Sequence, residues 1–328
     1  MMADDFRPTA TWDRLRLRAT LLKQLRQFFD EQGFLEVETP LLSTDTCVDR
    51  HLDPIPVLLP DDPRHLEQGR RMWLQTSPEF GMKRLMASGG EAIYQMTRAF
   101  RMAEVGQFHN PEFTILEWYR RGDSMQDGMA LLSELSDTLL GTGPATLLGY
   151  AEAFQRFVGV DPLRASDQEL QQVANDSGIQ LTESGSSHTD RDDWLNLLLT
   201  ELIEPRLSQE GATILYDYPA SQAALAKVRA GDPPVAERFE LYVAGIELAN
   251  GYHELVDADV LRQRNAEANV ARTNDGKYTV PTDSRLLTAM QHGLPECTGV
   301  ALGWDRLVML AAGASVISDV LSFPDDRA

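Results

Sequence analysis

FRMAEVGQFHNPEFTILEWYRR, residues 100–121, reads as strand, polar loop, strand. Just upstream, residues 92–101 (AIYQMTRAFR) are rich in Ile, Tyr, Thr and Phe, which suit a pleated surface. Downstream, residues 112–120 alternate. Phe113, Ile115, Glu117 and Tyr119 share one face; Thr114, Leu116 and Trp118 share the other. The loop between them holds Arg101, Glu104, His109 and Asn110. A loop carrying a cation, a carboxylate and an imidazole, beside a strand that points Glu117 and Tyr119 one way, suits a small polar ligand. A solvated surface hairpin would carry the same charges.

The chain has 328 residues, 43% apolar and 24% charged, the composition of a globular protein with ample core. Cys47 and Cys297 form neither a disulfide framework nor a metal spacing, which suits a reducing cytoplasm. MMADDFRPTA at the start lacks the basic and apolar regions of a signal peptide. The longest apolar run, near Val300–Val316, is broken by Asp305 and Arg306, so no membrane span is expected. The net charge of −20 argues against a surface meant for phosphate backbones, although one local basic pocket for a nucleotide is compatible with it.

Residues 11–32 (TWDRLRLRATLLKQLRQFFDEQ) predict a helix with Leu15, Ala19, Leu22, Leu25 and Phe29 on one face and Gly33 as its stop. FLEVETPLL (34–42) predicts a short strand with Pro40 near its end. This pair fits a dimer seam or an ordinary helix–strand unit. Residues 44–72 read as loop, with prolines at 54, 56, 60 and 63; MWLQT (72–76) reads as strand. Ser77-Pro78-Glu79 then predicts a helix start, with Ser77 as N-cap and Pro78 in the first helical position. The helix dipole alone would explain Glu79.

Residues 123–140 and 167–207 predict a mainly helical insertion spanning about 123–210, with no evident chemistry and His188 as a loop histidine. Residues 215–219 predict a strand. Residues 237–258 (ERFELYVAGIELANGYHELVDA) predict a second hairpin turning at Ala244-Gly245. Tyr242 then faces Glu247, with Glu240 on the diagonal at roughly 7–8 Å. Two carboxylates so placed suit a cation such as Mg²⁺ shared with phosphates, or form an exposed acidic face. Asn250-Gly251 is turn-prone and could swing Asn250 and Glu254 inward. In residues 297–314 (CTGVALGWDRLVMLAAGA) a small-residue strand runs through Gly303 into a helix from Trp304. Arg306 falls in that helix's first turn, where a cation is unfavourable unless an anion binds there or Asp305 pairs with it.

Taken together, these segments resemble the catalytic domain of class II aminoacyl-tRNA synthetases of the lysyl type, over nearly the whole chain. The helix plus FLEVETP resembles motif 1, FR…HNPEFTILEWY motif 2 and GVALGWDR motif 3, while TSPEF and GIELANGYHEL resemble lysyl-specific segments. The fold implied is α+β, an antiparallel sheet flanked by helices, in a single catalytic domain over 1–328. No room is left ahead of motif 1 for an anticodon-binding domain. The chain in this respect resembles the short paralogue family of elongation factor P–(R)-β-lysine ligases, as do EAFQRFVGVDPL (152–163) and the closing FPDDRA.

That resemblance implies an ATP-dependent ligase that adenylates (R)-β-lysine or lysine and transfers it to a lysine of elongation factor P. It implies a cytoplasmic homodimer, with Mg²⁺ held by Glu240 and Glu247 and no tRNA partner. Arg101 and Arg306 would serve catalysis by holding phosphates. ATP would meet Arg101, Met102, Ala103, Glu104, His109, Asn110, Phe113, Glu247, Leu248, Gly303 and Arg306. The amino acid would meet Ser77, Pro78, Glu79, Glu117, Tyr119, Asn250, Glu254 and Ala301. Ser77 and Ala301 stand where lysyl-tRNA synthetases usually have Ala and Gly. Ala103 stands where motif 2 has Glu, and Gln107 where a basic residue is common. The alternatives are a lysyl-type enzyme that charges tRNA without an anticodon domain, and a non-catalytic paralogue that binds an amino acid.

Overall fold

The computed structural model describes residues 6–179, 190–207 and 211–328. In chain order the elements are α1 (Trp12–Glu31), β1 (Leu35–Glu36), β2 (Leu42–Ser43), β3 (Pro56–Leu59), β4 (Arg70–Leu74), α2 (Glu79–Ala87), β5 (Ala92–Phe100), β6 (Glu112–Arg121) and α3 (Met125–Leu140). There follow β7 (Thr146–Gly149), α4 (Tyr150–Phe157), α5 (Asp167–Asp176), α6 (Arg191–Leu198), α7 (Glu204–Leu207), β8 (Thr213–Pro219), β9 (Val228–Arg229), β10 (Val235–Val243) and β11 (Ile246–His253). The chain closes with α8 (Ala258–Asn274), α9 (Arg285–Gly293), β12 (Cys297–Gly303) and α10 (Trp304–Ala311).

The main sheet has the order β1-β5-β6-β12-β11-β10-β8-β7, with β9 beside β10. Its centre is antiparallel. The two ends are not, because β1 runs parallel to β5 and β7 parallel to β8, so the sheet is mixed. Leu116, Trp118, Val300, Leu302, Leu241 and Ala249 face a core built with α1, α3 and α10. The alternate residues of the same strands face the other side. There α2, α8 and α9 pack Phe80, Met86, Leu261 and Leu286 near Tyr119. The alternation expected in β6 is therefore observed. A third cluster joins α4, α5, α6 and α7 to β7 and β8.

Several sequence expectations are corrected. In α1 Leu25 and Phe29 are buried, but Ala19 is exposed and Leu21 and Phe28 complete the stripe. Residues 21, 25, 28 and 29 are spaced as one face of a helix, and that face is the one turned to the core. Residues 34–42 form two short strands, not one. Pro40, which has no N–H for a ladder, separates β1 in the main sheet from β2 in a three-stranded sheet of order β2-β4-β3. Strand β3 lies within the stretch expected as loop. Pro56 opens it on the sheet edge, where a missing donor is tolerated. The stretch 123–210 also contains a strand, β7. His188 lies outside the described residues. No helix among the described residues is long and apolar enough to cross a membrane.

Candidate active site

A cleft of about 950 Å³ opens over the face of the sheet opposite the α1, α3 and α10 core, and its walls include Arg101, His109, Phe113, Glu117, Glu254 and Arg306. Ser77, Glu79, Glu104, Asn110, Tyr119, Glu247, Leu248, Asn250, Ala301 and Gly303 also line it. Pro78, Met102, Ala103 and Glu240 are not among its lining residues. Strand register builds the floor in rows. Asn250, Ala301 and Glu117 lie side by side on β11, β12 and β6; Tyr252, Gly299 and Tyr119 form the next row.

Hairpin β10–β11 turns at Ala244 and Gly245, with φ of 51° and 74°, as the left-handed turn conformation requires. Tyr242 faces Glu247 as predicted. One step on, the register shifts, so that Glu240 faces Asn250. This bulge corrects two expectations. Asn250-Gly251 is a strand segment inside β11, not a turn, and no swing is needed. Strict alternation would send Glu247 and Asn250 to opposite faces; the extra residue brings both to the cleft.

One end of the cleft is crowded with carboxyl groups. Glu117 is 1% exposed; its oxygens accept hydrogen bonds from Ser77 Oγ at 2.5 Å and Tyr119 OH at 3.1 Å. Burial, then the nearby Glu79, pushes Glu117 up to about 8 against the pull of those hydroxyls. Burial also pushes Glu254 up, opposed by Lys83. The helix α2 begins at Glu79, one residue later than predicted, with Pro78 in the N-cap position. Ser77 still accepts the Glu79 N–H, so its oxygen serves both the helix start and Glu117. Glu79 is bonded to Lys83 Nζ, which the helix dipole alone did not foresee.

At the other end, Arg306 lies in the first turn of α10 with Nη2 2.7 Å from His109 Nε2 and Nη1 2.8 Å from the Glu247 carbonyl. Asp305 is not its partner. That carboxylate is buried against Arg18 at 2.6 Å and accepts the Thr114 N–H at 2.7 Å. Arg101 stacks over Phe113, 4.9 Å from the ring centroid; its buried Nε has no hydrogen-bond partner among the described residues. Such an orphaned donor fits an incoming phosphate oxygen. Ala103 is held at φ 62°, a region rare for a residue with a Cβ. The neighbouring Glu104 carboxylate stands 3.7 Å from Arg101 Nη1. Gln107 turns away and bonds the Ser315 carbonyl.

The acidic pair on β10 and β11 is only half open. Glu240 accepts from Arg238 Nη2 at 2.5 Å, Tyr218 OH at 2.5 Å and Tyr242 OH at 2.6 Å. Glu247 is the carboxylate presented to the cleft. Its desolvation and Glu240 push it up, while Arg306 opposes. Among the described residues no group of three or more His, Cys, Asp or Glu side chains is arranged to hold a metal. The donor set still fits a hard cation that also takes phosphate oxygens, with Glu247 as the open ligand.

The chain's sequence matches, over residues 3–327, the family described as tRNA synthetases class II (D, K and N). It belongs to the class II tRNA synthetase family. Among curated relatives, the elongation factor P–(R)-β-lysine ligase of Salmonella arizonae is 44% identical over 323 residues, 98% of both chains. The proteins of that name from Salmonella paratyphi B and Salmonella schwarzengrund are each 45% identical over the same share.

This class II catalytic domain also holds groups that sequence reading passed over. Lys83 sits four residues after Glu79 on the same helix face, a spacing that could have revealed it. Gly299 left no signal; only the structure shows that a Cβ there would lie 2.2 Å from Glu254 Oε1 and 2.3 Å from the Tyr119 ring. The helical insertion is not chemically silent either, since Asp190, Asp192 and Asn196 line the cleft. Burial, then Glu247 and Glu240, pushes Glu204 there up to about 7.

Proposed function

We propose that the chain activates (R)-β-lysine, or lysine, with ATP as an aminoacyl-adenylate and transfers it to a lysine side chain of elongation factor P. The observation that carries this reading is that one cleft joins two arginines, Arg101 and Arg306, to three buried or half-buried carboxylates, Glu79, Glu117 and Glu254. Guanidinium groups serve phosphates; carboxylates out of water serve ammonium groups.

The substrate carboxylate oxygen attacks the α-phosphorus, the bond to the bridging oxygen breaks, and pyrophosphate leaves. Arg101 holds the α-phosphate and Arg306 the γ-phosphate. These are fixed positive groups facing the developing charge. Mg²⁺ held by Glu247, with Glu240 behind it, would neutralise phosphate charge. The acceptor amine, as free base, then forms a C–N bond to the acyl carbon. AMP leaves with the electron pair of the broken C–O bond, and the amine proton passes to water. No nucleophile of the enzyme enters either step.

The names of the relatives support elongation factor P as acceptor, and the net charge of −20 weighs against tRNA. A homodimer is part of this reading because the pairing of α1 with the following strand resembles motif 1. Two free thiols suit a cytoplasmic enzyme. The test is amino-acid-dependent pyrophosphate–ATP exchange with lysine and (R)-β-lysine, followed by mass spectrometry of elongation factor P. Exchange plus a mass gain on the acceptor is expected. Faster transfer to tRNA would favour a tRNA-charging enzyme, and absence of exchange a non-catalytic amino-acid binder; either overturns the reading.

A further inference from the structure

Lys83 is 1% exposed and does not line the cleft, yet its Nζ lies 2.5 Å from Glu79 Oε1 and 2.5 Å from Glu254 Oε2. A buried ammonium persists only when paired, and this one bridges two carboxylates that do line the cleft. Glu79 and Lys83 share one face of α2, with the acid toward the helix N-terminus, the favourable order. Glu254 comes from the chain just after β11 and is fixed through its N–H to the Cys297 carbonyl. Among the described residues, Glu117 accepts hydrogen bonds from the hydroxyls of Ser77 and Tyr119. Three carboxyl groups of the cleft thus lie around one internal cation, which pairs with two of them.

We propose that Lys83 is a positioning residue that, from behind the cleft wall, holds the Glu79 and Glu254 carboxylates in place through one shared ion pair and so fits the pocket to an amino acid carrying two ammonium groups. This rests on reading the cleft as an amino-acid-activating site. Burial pushes Glu254 up and Lys83 opposes that shift, and a neutral carboxyl cannot balance an ammonium. Burial by itself would lower Lys83; Glu254 and Glu79 outweigh it and hold Lys83 above its ordinary value. Cys47, Cys297, Tyr119 and Glu117 are all pushed up by burial, and none of them is a cation.

The test is Lys83→Met in the full chain, with pyrophosphate exchange measured against each substrate from about pH 6.5 to about pH 9.5. The KM for the diamino acid is expected to rise roughly tenfold or more near neutrality, while the KM for ATP holds. The deficit should shrink as pH rises, because Glu254, which burial pushes up, regains its charge. An unchanged KM, or a loss that does not vary with pH, overturns the proposal. Where Lys83→Met does not fold, Lys83→Met/Glu79→Gln removes a matched pair of charges, and the preference for a diamino acid over its mono-ammonium analogue is then read against that of Glu79→Gln alone. A fall of roughly tenfold or more in that preference supports the proposal, and no fall overturns it. Wild-type exchange with a diamino acid tests the cleft reading by itself, so failure of that reading appears in the wild type and failure of the Lys83 role only in the variants.

Discussion

Arg306 Nη2 and His109 Nε2 meet at 2.7 Å, joining the helix after β12 to the loop between β5 and β6. A guanidinium only donates, so Nε2 accepts and the proton of the neutral imidazole lies on Nδ1. Burial, then Arg306, lowers His109, which keeps the ring in that neutral form. Arg306 is thereby aimed into the cleft from a helix N-terminus, where its charge is unfavourable unless an anion joins it. Arg306→Ala should abolish pyrophosphate exchange, a loss of about a thousandfold, with the circular dichroism spectrum unchanged. Near-normal exchange would sink the phosphate role.

Gly299 lies between Tyr252 and Tyr119 in the sheet, and the Glu254 carboxylate fills the space above it. Gly299→Ala forces Glu254 or the Tyr119 ring to move. The expected result is a loss of amino-acid-dependent exchange of about a hundredfold, with a stability cost of about 1–3 kcal/mol by urea unfolding. Full activity in the variant would show that the amino acid does not use this corner.

Glu117 supplies a pH signature. Burial, then Glu79, pushes its carboxyl up to about 8, and an ammonium needs it ionised. The KM for the amino acid should therefore fall as pH rises from about 6.5 to about 8.5, by at most tenfold per unit. Glu117→Gln should flatten that slope and raise the KM. The stability sign is opposite. The folded-state value lies above the ordinary carboxyl value, so the contribution is full below about 4.5 and is lost as pH rises through about 8. Melting temperature of the substrate-free protein should fall across that window and recover on adding the amino acid.

Asp305 carries the fold rather than the chemistry. Its two oxygens are bound by Arg18 of α1 and the Thr114 N–H of β6, tying the first helix to the central sheet. Asp305→Ala should cost about 3 kcal/mol, because it strands a cation and a backbone donor. A urea midpoint within error of wild type would contradict this.

The sequence by itself determined the two central hairpins and the chemistry they bear. Alternation assigned Glu117 and Tyr119 to one face, and Ala244-Gly245 fixed where β10 turns into β11, because both signals are local and need only neighbouring residues. The strand-to-helix step at Gly303–Trp304 was legible for the same reason, and with it the unusual place of Arg306. Only the tertiary structure decided what depends on contacts between distant segments. The bulge that turns Glu247 and Asn250 to one face, the split of residues 34–42 between two sheets, the claim of Arg18 on Asp305 and the room left by Gly299 are of this kind. Each is set by register or close approach across the sheet, where a single missing side chain or one extra residue leaves no pattern along the chain.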